Sequence, residues 1–469
     1  MEDLAFRRDW NTTLEQQKAH VRSGLWRSAD VRRSRLELLK AMILDREADW
    51  MAALASDLGK PAMEAYASEI AVVLNEIDFL IQHIKHFSRP QPIFSTNLFS
   101  RLSGMRASVT REAYGSVLII SPWNYPLQLS LLPLAGALAA GNSCFLKPSE
   151  LAPASADLLN RSLREAFPPE IVAVVEGDAM IAEQLLALPW DGIFFTGSQR
   201  VGSLIAKAVA GRNIPLTLEL GGKNPCIVDA TGLNQATARR IVWGKFLNAG
   251  QTCIAPDTVW VEACCLEPLL DLLGTQIQQI FGTDPASSPD YGRIGHPRQM
   301  ERLIKFLLQG QVRHGGSVDV TRNYIAPTLL TALPAGSPIM QEEIFGPILP
   351  VLPYESLDKL IEYLRSQPEP LAVYLFSRNK SNIMNLRDSF RCGAFSVNQV
   401  VRYAASSKLP FGGIGASGYG RYHGKYSIQN FSYERVLYQE SIWPDWRFLY
   451  PPYDKQSIST LKRLRRWFI

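Results

Sequence analysis

Between Gly115 and Glu219 the chain alternates between short apolar runs and longer stretches of helical period. The runs SVLII, SCFLKP, IVAVVEG and GIFFTGS are separated by PLQLSLLPLAGALAAG, ASADLLNRSLREAF and IAEQLLAL. A brief apolar run bounded by turn residues reads as a strand buried on both faces, and strand, helix, strand in succession reads as a crossover unit. Repeated, such units build a parallel sheet with helices on both faces, and the sheet takes ligands beyond the carboxyl ends of its strands. The fold class expected is therefore α/β with a Rossmann-type sheet.

One stretch competes with that reading. Ala113 to Leu146 carries no charged side chain and is long enough to cross a bilayer. Pro122, Pro126, Pro133, Gly136, Gly141, Asn124, Gln128 and Asn142 interrupt it, so a buried α/β unit is expected instead. The first ninety residues have apolar positions at helical spacing, as in LELLKAMILDREADWMAALASDLG and SEIAVVLNEIDFLIQHIKHF. Ser88 to Arg111 is rich in Pro, Ser and Thr and reads as a projecting hairpin. A second α/β stretch runs from Leu218 to about Ser427, with strands suggested by NPCIVD, TVWVE, PILPVLPY, LAVYLFS and GAFSVN.

Composition narrows the function classes. A net charge of +5 over 469 residues is too small for a chain-wide field that would grip nucleic acid. Most of the excess lies beyond Trp443, where six basic residues stand against Asp445 and Asp454. Six cysteines without CxxC spacing make neither a disulfide framework nor a zinc site, and the six histidines form no HExxH cluster. No metal is expected. The amino terminus MEDLAFRRDWNTTLEQQKAH lacks the apolar core of a secretory signal, which makes the cytoplasm the expected compartment.

Two short motifs carry chemistry. In Gly250-Gln251-Thr252-Cys253 a turn after the helix-like ARRIVWGKFLNA leaves a cysteine accessible to neighbouring backbone amides, an arrangement that favours a thiolate. The same pattern fits a small buried thiol. In Leu218-Glu219-Leu220-Gly221-Gly222-Lys223 a carboxylate between leucines has the surroundings that raise its pKa towards general-base work, or it pairs with Lys223 at a strand end. Neither motif decides alone.

These motifs fall in order with Ser121-Pro122-Trp123-Asn124-Tyr125-Pro126, Lys147-Pro148-Ser149-Glu150, Phe195-Thr196-Gly197-Ser198, Glu343-Ile344-Phe345-Gly346-Pro347 and Leu409-Pro410-Phe411-Gly412-Gly413. The set resembles the aldehyde dehydrogenase superfamily over nearly the whole chain. The form GQTCIAPD, the run YHGKYS at 422 to 427 and the short amino terminus resemble its class 3 branch. Departures are Ser121, where Gly is common, and Ala416 after GGIG, where Asn is frequent. Residues 88 to 111 and 399 to 408 match least well.

The resemblance implies a division of labour. Cys253 attacks the aldehyde, the Asn124 amide and the Cys253 N–H hold the alkoxide, a hydride passes to NAD(P)⁺, and Glu219 activates the water that releases the acid. It also implies that Trp123 lies near the cofactor pyrophosphate and that Lys147 and Glu150 face the adenosine ribose. Gly197, Ser198 and Val201 open a helix whose amino terminus suits a phosphate, while Glu343 and Phe345 lie at the nicotinamide ribose and ring. A core anchor for Trp123, a turn residue for Asn124, and an exposed Glu343 with a core Phe345 are the plainer alternatives. Glu150 would repel a 2′-phosphate, which favours NAD⁺, with NADP⁺ the second candidate.

The implied organisation is a cofactor domain at 1–90 and 113–218, a catalytic domain at 219–428, bridging strands of a homodimer at 91–112 and 429–442, and a basic amphipathic tail at 443–469. In the tail Ile458, Leu461, Arg465 and Phe468 share a helical stripe, which fits an anionic membrane surface or docking on the protein itself. The expected substrate is a medium- or long-chain aliphatic, or an aromatic, aldehyde. A coenzyme A-acylating enzyme and a non-catalytic relative are the competing classes.

Overall fold

The apolar runs become strands whose carboxyl ends converge on one crevice. The computed structural model describes residues 2–94, 104–334, 336–443, 445, 450–453 and 455–468. In chain order the strands are β1 Gln91–Ile93, β2 Arg106–Ala113, β3 Ser116–Ile120, β4 Ser143–Lys147, β5 Val172–Val174, β6 Gly192–Gly197 and β7 Leu216–Leu220. They continue with β8 Pro225–Val228, β9 Thr258–Glu262, β10 Gln311–His314, β11 Val318–Asp319, β12 Tyr324–Ile325 and β13 Thr328–Thr331. The last are β14 Ile348–Tyr354, β15 Ala372–Phe376, β16 Ala394–Val397, β17 Gly418–Tyr419 and β18 Ser432–Gln439.

Among the described residues, one sheet has the order β17-β7-β6-β3-β4-β5, parallel except for β17. The chain runs outward from β3 through β4 to β5, then returns to β6 on the other side of β3. That reversal opens a crevice at the strand ends, where ligands of such sheets bind. Register aligns the ends: Ile120 pairs with both Lys147 and Phe195, and Thr196 pairs with Glu219. The charge-free stretch supplies β3, β4 and the helix Gln128–Ala140, whose residues Leu129 to Ala140 are all buried. A helix apolar all round belongs in a core. Here it packs with the amino-terminal helices Ala29–Asp45 and Ala71–Ser88 in one continuous apolar cluster.

The second sheet has the order β10-β13-β14-β9-β8-β15-β16, parallel except for β10. The runs of β8, β9, β14, β15 and β16 were legible in sequence; β10 and β13, short and without a long apolar run, were not. Side chains divide by strand period: Cys226 and Val228 face one cluster and Ile227 the other, as do Val259 and Val261 against Trp260. Helices Gln235–Phe246 and Leu266–Phe281 cover the first face. Helices Leu357–Arg365 and Lys380–Ser389 cover the second.

A third, antiparallel sheet joins β1, β2 and β18, with Ser432 opposite Ala113 and Gln439 opposite Arg106. The hairpin read at 88 to 111 has its β1 and β2 arms here, and its residues 95–103 lie outside the described ones. Beyond β18 the tail forms a helix, Lys455–Phe468, on which Ile458 and Leu461 are exposed. The expected stripe residue Phe468 has a side chain outside the described ones. Among the described residues no helix is long and apolar enough to cross a membrane.

Candidate active site

Just past β3, the chain turns through Ser121-Pro122-Trp123-Asn124 at the crevice. Asn124 is buried, and its Nδ2 donates to the Gln251 carbonyl at 2.9 Å. Gln251 belongs to the turn that presents Cys253. The helix read as ARRIVWGKFLNA stops at Phe246, because Asn248 and Ala249 take left-handed dihedrals with φ of 52° each. Gly250 follows at φ 76°, and a Cβ there would lie 2.3 Å from the Gly346 carbonyl. Left-handed dihedrals outside glycine are costly and persist only where the surroundings impose them.

Five hydrogen bonds hold the turn here. Asn224 Nδ2 donates to the Cys253 carbonyl at 2.8 Å, and Tyr374 Oη donates to the Ile254 carbonyl at 2.6 Å. Tyr125 Oη and Thr252 Oγ1 are 2.7 Å apart. Gln251 Nε2 donates to the Asn248 and Arg293 carbonyls, both at 2.9 Å. The thiol of Cys253 is left partly exposed.

The surroundings of Cys253 work against the thiolate that the motif favours. Burial pushes the Cys253 thiol well up, Glu343 and Glu219 add to the shift, and the backbone amides of Cys253 and Ile254 only oppose it. The amides are present as read, but desolvation outweighs them, and the two carboxyls add to it.

Glu219 stands on β7, paired with Gly418 of β17. Both carboxyl oxygens are buried without a hydrogen-bond partner. The alternative pairing with Lys223 does not occur: Lys223 is ion-paired with Asp257 and donates to the carbonyls of Ile339 and Glu342 at 2.8 and 3.0 Å. Burial raises the Glu219 pKa well above the usual carboxylate range, and Arg421 pulls the other way. Glu343 is a second raised carboxyl, pushed to about 8 by burial and by Asp257 against a hydrogen bond from Gly222. Its carboxylate fills the space beside Gly221, where a Cβ would lie 2.2 Å from Oε2.

The loop carrying Glu343 and Phe345 is held from behind. Arg302 donates to the carbonyls of Glu343 and Ile344 at 2.9 and 2.5 Å, and Ile344 N donates to Asp257 at 2.9 Å. Phe345 has φ 48° and meets Trp123 edge to face, with centroids 5.7 Å apart. At the end of β4, buried Lys147 pairs with half-exposed Glu150 at 3.2 Å. At the end of β6, Gly197 precedes Ser198, which caps the helix Gln199–Val209 by accepting from Val201 N at 3.4 Å. Thr196 Oγ1, one residue earlier, is buried without a partner.

The residues singled out in sequence thus lie at strand ends, in the first turn of the helix after β6, or on the two loops facing them. Sequence reasoning did not find Tyr125, Asn224, Asp257, Arg302 or Tyr374, which hold the site from behind. It also missed Lys60, on the loop before Pro61, and Glu64 and Glu69 on the helical turns after it. A carboxylate inside the apolar run ASEIAVV was the one visible sign of Glu69. Among the described residues there is no group of three or more His, Cys, Asp or Glu arranged to hold a metal ion.

A crevice at a strand reversal, facing a cysteine on a pinned turn, is the arrangement of the aldehyde dehydrogenases. A family model, "Aldehyde dehydrogenase family", matches residues 8–437, and the chain belongs to that family of oxidoreductases. It is 49% identical over 423 residues to the 4,4'-diapolycopene-4,4'-dial dehydrogenase of Cytobacillus firmus, covering 90% of this chain and 92% of that protein. It is 39% identical over 452 residues to aldehyde dehydrogenase family 3 member A2 of Rattus norvegicus, covering 96% and 93%. A solved structure of the substrate-bound state of Staphylococcus aureus AldH is 38% identical, with a TM-score of 0.94 over 97% of this chain and 99% of that one.

Proposed function

We propose that the protein oxidises a long-chain apolar aldehyde to its carboxylic acid with NAD(P)⁺, using Cys253 as nucleophile. The observation that carries this reading is the convergence of three groups from distant chain positions. The Asn124 amide shares Gln251 with the turn of Cys253, and the thiol feels the unpartnered carboxyl of Glu219.

In this mechanism the Cys253 thiol gives its proton to solvent water as Sγ bonds to the aldehyde carbon, and the carbonyl oxygen takes the second N–H of Asn124 together with the Cys253 N–H. Bound NAD(P)⁺ supplies the hydride acceptor. Glu219 then takes a proton from water as the water oxygen adds to the thioester carbon, the C–S bond breaks, and the acid departs. The groups around the crevice fit the cofactor. Thr196 Oγ1 offers a buried unpartnered hydroxyl, the first amides of the Ser198-capped helix face the strand ends, and Trp123 and Phe345 form an aromatic wall. Lys147, Glu150 and Glu343 are the polar groups for its two riboses, with Gly197 and Val201 shaping the phosphate turn.

The relative named for a diapolycopene dialdehyde supports an apolar substrate. So does the aromatic pair Tyr403 and Phe411, with ring centroids 6.3 Å apart near the thiol. An assay of NADH and NADPH formation over an aldehyde panel, with and without coenzyme A, tests the reading. Acid formation without coenzyme A is the expected result. Turnover only with coenzyme A would replace hydrolysis by acyl transfer, and no turnover on any aldehyde would sink the reading.

Two further parts follow from exposed surfaces. The long strand β18 is an edge whose Val436, Leu437 and Tyr438 are exposed, the condition in which a sheet edge takes a second copy. The reading is a homodimer, checked by sedimentation. The tail helix, basic and with Ile458 and Leu461 exposed, rests on an anionic membrane surface. Equal binding to anionic vesicles by the full chain and by one ending at Pro452 would exclude it.

A further inference from the structure

The helix after Pro61 does not continue regularly. Ala62–Ala65 passes into a π-helical turn, Tyr66–Ile70, in which Ala71 N donates to the Tyr66 carbonyl. In an α-helix, residues five apart are rotated by about 140° from each other. The wider turn reduces that offset, and π-turns recur at functional sites. Glu64 lies just before the wide turn and Glu69 within it.

Glu69 is fully buried and ion-paired with Lys60, itself fully buried. Its Oε2 accepts from Leu127 N at 2.9 Å and Gln128 N at 3.1 Å, and so caps the helix Gln128–Ala140, which has no side-chain cap of its own. Lys60 Nζ donates to the Asn124 carbonyl at 3.1 Å and lies 4.0 Å from the centroid of the Tyr125 ring. Glu64 Oε2 accepts from Asn248 N at 2.9 Å, at the first left-handed residue of the nucleophile turn. Asn248 Nδ2 then donates to the same Asn124 carbonyl at 2.8 Å and to the Gln251 carbonyl at 3.3 Å.

The Asn124 carbonyl is therefore gripped twice, once by Lys60 and once through Asn248 from Glu64. We propose that Lys60, Glu64 and Glu69 are positioning residues, a clamp formed by the loop before Pro61 and the helical turns after it, which fixes the Asn124 amide relative to the turn of Cys253. The physical reason is the demand of oxyanion stabilisation, in which donors act only if they are held in place before the charge develops. Displacement by an ångström costs about a hundredfold in rate. The dihedrals of Asn248 and Ala249 are the kind that relax when an outside partner is lost. A simple core role for the ion pair would need neither the hydrogen bond to Asn124 nor the separate reach of Glu64.

The proposal rests on the roles given above to Asn124 and Cys253. The test uses the full chain with Glu64→Leu, Glu64→Gln, and the double variant Lys60→Met/Glu69→Leu, which exchanges the buried pair for apolar side chains of similar size. Rapid mixing with NAD⁺ and an aldehyde turned over by wild type reads the NADH burst. Fluorescence titration reads NAD⁺ affinity, and iodoacetamide reads thiol alkylation, which develops no oxyanion.

In Glu64→Leu and the double variant the burst slows by about tenfold to a hundredfold, with NAD⁺ affinity, aldehyde KM and alkylation within about threefold. Glu64→Gln, which keeps a carbonyl acceptor for Asn248 N, recovers most of the burst rate. A burst within about twofold of wild type in folded Glu64→Leu overturns the clamp. If Glu64→Leu does not fold, the double variant decides by the same criterion. A parallel fall in burst and alkylation also overturns it, because that is general loosening of the site. A wild type with no NADH formation brings down the functional reading and this proposal together, whereas an active wild type with indifferent variants brings down the clamp alone.

Discussion

Asn124 and Gln251, 127 positions apart in the chain, are joined by a 2.9 Å hydrogen bond from the amide nitrogen of one to the main-chain carbonyl of the other. The bond ties the loop after β3 to the turn before Cys253 and uses one N–H of the amide. The oxyanion role proposed for Asn124 falls to the second N–H.

Asn124→Ala is expected to slow hydride transfer by about a hundredfold to a thousandfold, the usual cost of one oxyanion donor. NAD⁺ affinity should hold. Rapid-quench measurement of the first turnover checks this, and an unchanged burst rate would remove Asn124 from the reaction.

Glu219→Gln separates the two halves of the reaction. The first-turnover burst of NADH persists, while steady-state turnover falls by about a hundredfold or more with loss of the general base. Cys253→Ala removes both phases. Loss of the burst in a folded Glu219→Gln protein would assign Glu219 to thiol activation instead.

The raised Cys253 thiol gives a pH prediction. Its neutral form is favoured chiefly by burial, and the Glu343 and Glu219 carboxyls add to this only as they ionise. Alkylation of the cofactor-free protein should climb about tenfold per pH unit between pH 7 and 9, without a plateau. A plateau by pH 8 would mean that the thiolate is formed earlier than the surroundings allow.

Gly221→Ala places a methyl group 2.2 Å from Glu343 Oε2. The carboxylate is the end of a flexible side chain, so it swings aside and thermal stability changes little. The Michaelis constant for NAD⁺ rises, because a displaced Glu343 no longer faces the crevice. Differential scanning calorimetry together with NAD⁺ kinetics checks both halves.

His423 is fully buried, and burial lowers its pKa to about 4. The folded pKa lies below the unfolded one, so the unfolded chain binds more protons between about pH 6.5 and 4, and stability falls as pH drops through that window. The size of the loss is about 3 kcal/mol. Neighbouring Glu76, which accepts from Gly424 N and is raised by burial, works in the opposite sense. His423→Asn, a residue that tolerates the left-handed φ of 77° here, should flatten the acid side of the melting curve. An unchanged acid slope would contradict the assignment.

Much of this protein was determined by sequence alone. The alternation from Gly115 to Glu219 specified parallel crossover units, because apolar runs of strand length between helical stretches can bury themselves in few other ways. The collinear motifs around Asn124, Glu219 and Cys253 named the family's reactive groups before any geometry was known. Tertiary structure decided the rest. Whether Glu219 is free or spent on Lys223 depends on Asp257, 34 positions beyond Lys223, which takes the lysine. Whether Cys253 rests as thiol or thiolate depends on the desolvation and the two carboxylates that the folded chain gathers around it. Lys60 and Glu64 reach Asn124 and Asn248, 64 and 184 positions away, which a helical apolar period does not reveal. These are long-range contacts set by packing, and a local pattern of residues carries no record of them.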